Sequence, residues 1–212
     1  MLVQAITKNA VSLAIFAVVT TGAISATYLG TKQRIADVER QAQAKALTEI
    51  ISADQHDNSL LDDTVMIDDK KLLGLHHPSQ AFIARKDGQF VAAIIPAIAP
   101  DGYSGDIQII TGILADGTIA GVRVLVSHET PGLGDKADRK KSNWVDEFIG
   151  RSLTNPSLDG WAVKKDKGVF DQFTGATITP RAITNVVKRT LIYFKANRDK
   201  FTQTAATRQE NP

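Results

Sequence analysis

Residues 81–126 read AFIARKDGQFVAAIIPAIAPDGYSGDIQIITGILADGTIAGVRVLV, and this stretch decides the fold. It holds four apolar, β-rich runs: Ala81–Arg85, Phe90–Ala97, Ile107–Leu114 and Ile119–Val126. Asp87-Gly88 separates the first two runs, and Asp116-Gly117 separates the last two. Such dipeptides supply the positive-φ residues of tight turns, so each flanking pair is expected to fold as an antiparallel hairpin. The expected class is α+β, an antiparallel sheet with packed helices.

Outward from the hairpins the periodicity changes. Ile183, Val186, Val187, Thr190, Leu191 and Phe194 recur at helical spacing. Thr179 followed by Pro180 reads as the N-cap and first-turn proline of that helix. Asn143–Ile149 reads as a short helix with Trp144 and Phe148 on one face, and Trp161–Val163 and Val169–Phe170 as short strands. Upstream, Gln33–Ile51 carries a loose apolar stripe (Ile35, Val38, Ala42, Leu47, Ile50 and Ile51) and is expected to be a helix that packs on the domain. Ser52–Lys71 is acidic and reads as an irregular connection, and Asp199–Pro212 as a frayed polar tail. There is no internal repeat and no low-complexity block.

Ala10–Leu29 carries no charge and is bounded by Lys8 and Lys32. As a helix it would be about 30 Å long, the thickness of a bilayer core. Its hydroxyls are tolerable there because they can bond back to helix carbonyls. A cleaved signal peptide is the competing reading. The apolar run exceeds the usual h-region, however, and Ala23-Ile-Ser-Ala26 is a poor cleavage site. Basic residues flank both ends, so charge does not set the orientation. The expected layout is a short N-terminal segment (1–9), a transmembrane anchor (10–29), one domain (32–198) and a tail (199–212).

The chain has 212 residues, a net charge of +2 and no cysteine. That charge does not suggest nucleic acid, and no basic patch alternates with aromatics. Without cysteine there are no disulfides, thiolate metal sites or cysteine nucleophiles. His56, His76, His77 and His128 show no ligand spacing, and no phosphate-loop or Gly-x-Ser-x-Gly pattern occurs.

The chemistry gathers in Asp171-Gln-Phe-Thr-Gly-Ala-Thr-Ile-Thr-Pro180. A hydroxyl-rich loop at a helix N-terminus suits a phosphate, because free N–H groups and the helix dipole both favour an anion there. Gly175 and Ala176 let another group approach the backbone, and Thr177 presents a hydroxyl. Thr174 and Thr179 either bind the same phosphate or cap the helix.

Thr174-Gly-Ala-Thr177 resembles the flavinylation motif of the FMN-binding domain family. Glu129-Thr-Pro-Gly-Leu-Gly134 resembles that family's second signature loop, and glycine-flanked Tyr103 also fits. With one N-terminal span, the chain is similar to the G subunits of Rnf (Rsx) electron transport complexes. The resemblance implies FMN joined by a phosphoester to Thr177, installed by a flavin transferase from FAD. It puts Glu129 and Thr130 at the polar edge of the flavin ring, Leu133 over a ring face, and Pro131, Gly132 and Gly134 in a fixed turn beside it. Without the family, Glu129 reads as a solvated loop carboxylate. The resemblance also implies a bacterial inner-membrane protein with a periplasmic domain. Its partners would be the other membrane subunits of the complex, among which it relays electrons rather than acting as a stand-alone enzyme. The C subunits of sodium-pumping NADH:quinone reductases share the domain, and a membrane-anchored scaffold without flavin is a further reading.

Overall fold

The computed structural model describes residues 2–203. Two compact units divide the chain, Met1–Lys45 and Ala46–Pro212. A long helix, α1, runs over Leu2–Thr48. Within it Asn9–Lys32 is long and apolar enough to cross a membrane. Phe16, Val18, Val19, Ile24 and Leu29 are 63–72% exposed. A helix apolar all round suits lipid. Its hydroxyls bond back as expected: Thr20 Oγ1 donates to Phe16 O at 2.8 Å, and Thr27 Oγ1 to Ala23 O at 2.9 Å.

The second unit is built on a five-stranded antiparallel sheet in simple meander order. The strands are β1 (Thr64–Ile67), β2 (Ser79–Lys86), β3 (Gln89–Gly102), β4 (Gly105–Leu114) and β5 (Ile119–Val126). Both Asp-Gly turns fall between strands, as the sequence predicts. β3 runs through Pro96, which lacks an N–H to give. The residue is tolerated because pairing with β2 has already ended at Ile94. β1 lies in the segment read as irregular. Only four residues alternate there, with Val65 and Ile67 buried and Met66 exposed, among acidic neighbours.

Each sheet face has its own core. One face packs against α2 (Ile178–Ala196), whose Ile183, Val186, Val187, Leu191 and Phe194 are buried as the periodicity requires. The other face, with Phe82, Ala92, Ile94 and Ile110, is covered by Leu47, Ile50, Ile51 and Leu60. Asn143–Ile149 becomes a 3₁₀ turn over Trp144–Phe148. The strands expected at 161–163 and 169–170 do not form. They reduce to one parallel bridge, Val163 with Phe170, because a 3₁₀ turn at Lys164–Asp166 interrupts them.

The expected tail begins later than its polarity suggests. Arg198–Thr202 form a short helix, α3, whose Phe201 is buried and stacks on Phe194 with centroids 5.6 Å apart. Arg85 holds it in place. Its buried guanidinium donates to Phe201 O at 3.3 Å and Gln203 O at 2.5 Å, and its Nε to Asp63 Oδ2 at 2.8 Å. Residues 204–212 lie outside the described residues.

Candidate cofactor site

Three segments converge at one end of the sheet. The β3–β4 hairpin turns through Gly102–Gly105 and places Tyr103 at its tip, 68% exposed. The loop leaving β5 carries residues 127–134. The third is the loop that leads into α2. Together they line a groove of about 340 Å³ formed by Tyr103, Glu129, Thr130, Leu133, Gly134, Gly175, Ala176, Thr177 and Ile178. Eight of the twelve residues singled out from the sequence therefore meet around one space, within the range of small-molecule sites. Thr174, Thr179, Pro131 and Gly132 are not in the lining. Thr174 is exposed and Thr179 is fully buried beneath the groove.

The tetrad loop is held from below by aromatic packing. Phe173 is buried edge-on against Trp144, with centroids 5.1 Å apart. Trp144 Nε1 donates to Asp171 O at 2.8 Å, and Asp171 N to Glu147 Oε2 at 3.0 Å. Burial pushes the Glu147 carboxyl above its ordinary range, and the nearby Asp171 charge adds to this, against the bond from Asp171 N–H. Exposed Lys164 pairs with Asp171 on the outer side.

The helix starts earlier than Thr179-Pro180 suggests. Thr177 is the N-cap and Ile178 the first helical residue. Pro180 still lies in the first turn, where a missing N–H costs nothing. Thr177 makes no side-chain capping bond, although threonine at this position usually does. Its half-buried hydroxyl therefore stands uncommitted in the groove, beside the first N–H groups of α2, which have no intrahelical acceptor. No lysine or arginine lines the groove among the described residues. Arg181, one turn into α2, is committed to Asp166 through bonds of 2.6 and 2.9 Å, which hold the Asp166 carboxyl below its ordinary value.

Glu129 is not a solvated turn residue. It is 7% exposed and both carboxylate oxygens are engaged. Oε1 accepts from Ser104 N at 3.0 Å, and Oε2 accepts a short bond from the Thr179 hydroxyl. The close pairing depends on Gly134: a Cβ there would lie 2.5 Å from Glu129 Oε2 and 2.7 Å from Thr179 Oγ1. Gly132 serves differently, with φ +79° in the turn and open space around it. Leu133 is 40% exposed and offers an apolar surface to the groove.

Sequence reasoning missed Ser104 and Ile178. Ser104 acts through its backbone N–H, which no residue type reveals. Ile178 is 42% exposed in the lining, and an apolar residue in a run of threonines is its only local signal.

Two family models match the chain: FMN-binding domain over residues 102–192, and RnfG N-terminal region over residues 1–50. Relatives described as the G subunit of an ion-translocating oxidoreductase complex align over most of their length. The protein from Pseudomonas aeruginosa is 48% identical over 193 residues, 91% of this chain and 90% of its own. Those from Vibrio cholerae and Pseudoalteromonas atlantica are 45% and 44% identical, covering 94% and 92% of this chain and 95% and 91% of their own. Among solved structures, the C subunit of a Na⁺-translocating NADH-quinone reductase from Parabacteroides distasonis aligns with 60% of this chain and 65% of its own. The identity there is 25% and the TM-score 0.43.

Proposed function

This chain belongs to the family of G subunits of ion-translocating oxidoreductase complexes, and on that premise we propose that it carries FMN on Thr177 and relays electrons within such a complex. The observation that carries the proposal is the uncommitted hydroxyl of Thr177 at the opening of α2. Of the three threonines at the start of α2, Thr179 gives its hydroxyl to Glu129 and Thr174 lies outside the groove lining, while Thr130 lines the groove from the loop after β5, away from the helix N-terminus. Thr177 alone combines a spare hydroxyl with the N–H groups that favour a phosphate.

The groove suits an ester better than a free phosphate. A free phosphate monoester carries close to two charges and usually draws arginine or lysine. A phosphodiester on Thr177 carries one, which a helix N-terminus can offset without a cation. The residues thus fit a covalently held FMN: Thr177 as the attachment atom, Gly175 and Ala176 as the close-packed backbone, and Leu133, Tyr103 and Ile178 as the apolar surround. Thr130 and Glu129 lie on the same groove. Bound FMN supplies the electron-carrying chemistry, and the protein's part is to hold and orient it.

The ester forms during maturation. The Thr177 oxygen bonds to the FMN phosphorus of FAD and the pyrophosphate bond breaks. AMP leaves and the hydroxyl proton passes to solvent. A flavin transferase with Mg²⁺ would catalyse this step, so Thr177 is a substrate of another protein. The apolar stretch Asn9–Lys32 serves as a single-pass anchor. In our reading it lies in the inner membrane with residues 32–212 in the periplasm, where a dissociated flavin could not be replaced. The other membrane subunits of the complex are the partners.

Mass spectrometry of the chain from a host that has the transferase tests the assignment. The expected result is an FMN adduct on the peptide containing Thr177, absent in Thr177→Ala. An adduct on Thr174 or Thr179, or none at all, would refute it. A periplasm-dependent reporter after Pro212 should be active, and inactivity would reverse the orientation.

A further inference from the structure

The Glu129 side chain sits where three segments meet. Its Oε1 holds the β3–β4 hairpin through Ser104 N, and its Oε2 holds the first turn of α2 through the Thr179 hydroxyl. Its own backbone N–H is fixed by Ser127 Oγ at 3.3 Å. A carboxylate that is 7% exposed and spends both oxygens on the protein has little left to offer a ligand. Thr179 is 0% exposed, so it touches no ligand either. Yet Thr179 is two residues from Thr177, on the same helical turn. Whatever fixes Thr179 fixes the direction in which the Thr177 hydroxyl enters the groove.

We propose that Glu129 and Thr179 form a clasp that positions Thr177 for esterification, and that Glu129 is a positioning residue rather than a ligand of the flavin ring. The inference rests on the reading of Thr177 as the attachment site. Without the clasp, the loop from Thr174 to Ile178 loses its tie to the hairpin and to the 127–134 loop. A nucleophile must be held close to its line of attack, and small misplacements cost large factors in rate. Gly134 belongs to the same device, because any side chain there would push the clasp apart.

The test uses the full-length chain in detergent with the flavin transferase, FAD and Mg²⁺. Modification is followed by intact mass at a temperature where each variant has wild-type tryptophan fluorescence. Thr179→Val removes the hydroxyl without changing shape and should slow esterification at least about tenfold. Thr179→Ser restores a hydroxyl and should restore most of the rate. Glu129→Ala, which also frees Ser104 N, should be slow too, and adding Thr179→Val to it should slow the reaction no further, because the bond Thr179 makes is already gone. Wild-type rates in Thr179→Val, equal slowness in Thr179→Ser, or a multiplicative double variant would each overturn the clasp.

A second measurement needs no flavin. In unmodified protein, amide hydrogen exchange over residues 174–178 should rise in Thr179→Val and not in Thr179→Ser. Unchanged exchange overturns the proposal even if the wild-type chain proves to carry its flavin elsewhere. An adduct missing from the wild type, with exchange still raised, would instead sink the Thr177 assignment and leave the clasp standing.

Discussion

Gly132 and Gly134 lie two residues apart in one signature loop, and the structure gives them opposite reasons to be glycine. Gly134 has an ordinary φ, but a Cβ would meet Glu129 Oε2 at 2.5 Å, Thr179 Oγ1 at 2.7 Å and Glu129 Cβ at 2.8 Å. None of these is the loose end of a surface chain, since Glu129 and Thr179 are both buried. Gly134→Ala therefore costs about 1–3 kcal/mol in overpacking. If relief comes by parting Glu129 from Thr179, a further ~1–3 kcal/mol of unsatisfied buried polar group is added. The sum is about 2–6 kcal/mol. Gly132 has φ +79° and nothing within 4 Å, so Gly132→Ala costs only the left-handed backbone, about 1–2 kcal/mol. Gly132→Asn costs less still, because asparagine tolerates that region. Urea unfolding followed by tryptophan fluorescence isolates the effect. The chain's two tryptophans, Trp144 and Trp161, are both buried in the second unit. The expected order of destabilisation is Gly134→Ala, then Gly132→Ala, then Gly132→Asn. A Gly134→Ala variant no less stable than Gly132→Ala would refute the close-approach argument.

Three further outcomes follow from the same geometry. Thr177→Val should change unfolding free energy by less than the ~0.5–2 kcal/mol typical of a lost N-cap, because Thr177 makes no capping bond; a full-sized loss would mean the hydroxyl does cap. Arg85→Met removes the ion pair with Asp63 and the donors to the carbonyls of Phe201 and Gln203, and should cost about 3–5 kcal/mol in the same urea assay, with a change below ~1 kcal/mol counting against a buried pair. Glu147 has its carboxyl raised above 4.5 by burial, so the native state binds that proton more tightly than the unfolded chain. Its contribution is full below pH 4.5 and is lost as pH rises through the raised value; Glu147→Gln should flatten stability over that window, and an unchanged pH profile would refute the cause.

The fold was legible where local signals agree with long-range packing. Asp87-Gly88 and Asp116-Gly117 fix two turns by backbone chemistry alone, and the apolar runs beside them pair across those turns. The stripe from Ile183 to Phe194 needs a helix to bury it. The failures share one cause. β1 is too short for alternation to register, and it is a strand because β2 pairs with it. The segment from Trp161 to Phe170 has strand-like residues but no partner, so only one bridge forms. Phe201 is a single apolar residue in a polar stretch. It is folded by Phe194 and by a guanidinium more than a hundred residues away. In each case the deciding contact is distant in sequence.

The site shows the same division within four residues. Thr179-Pro180 is the better local N-cap signal, and Thr177 precedes only an isoleucine. Local chemistry does not separate the two starts, because Pro180 lacks an N–H in a turn whose N–H groups are unpaired in either case. What the structure adds is Glu129, fifty residues upstream: the Thr179 hydroxyl donates a hydrogen bond to that carboxylate inside the first turn, and the helix opens at Thr177. The motif therefore needs its partner loop to be read correctly. The segment from Thr174 to Thr179 supplies three hydroxyls: the buried carboxylate takes that of Thr179, Thr174 lies outside the lining, and that of Thr177 is left to face the groove.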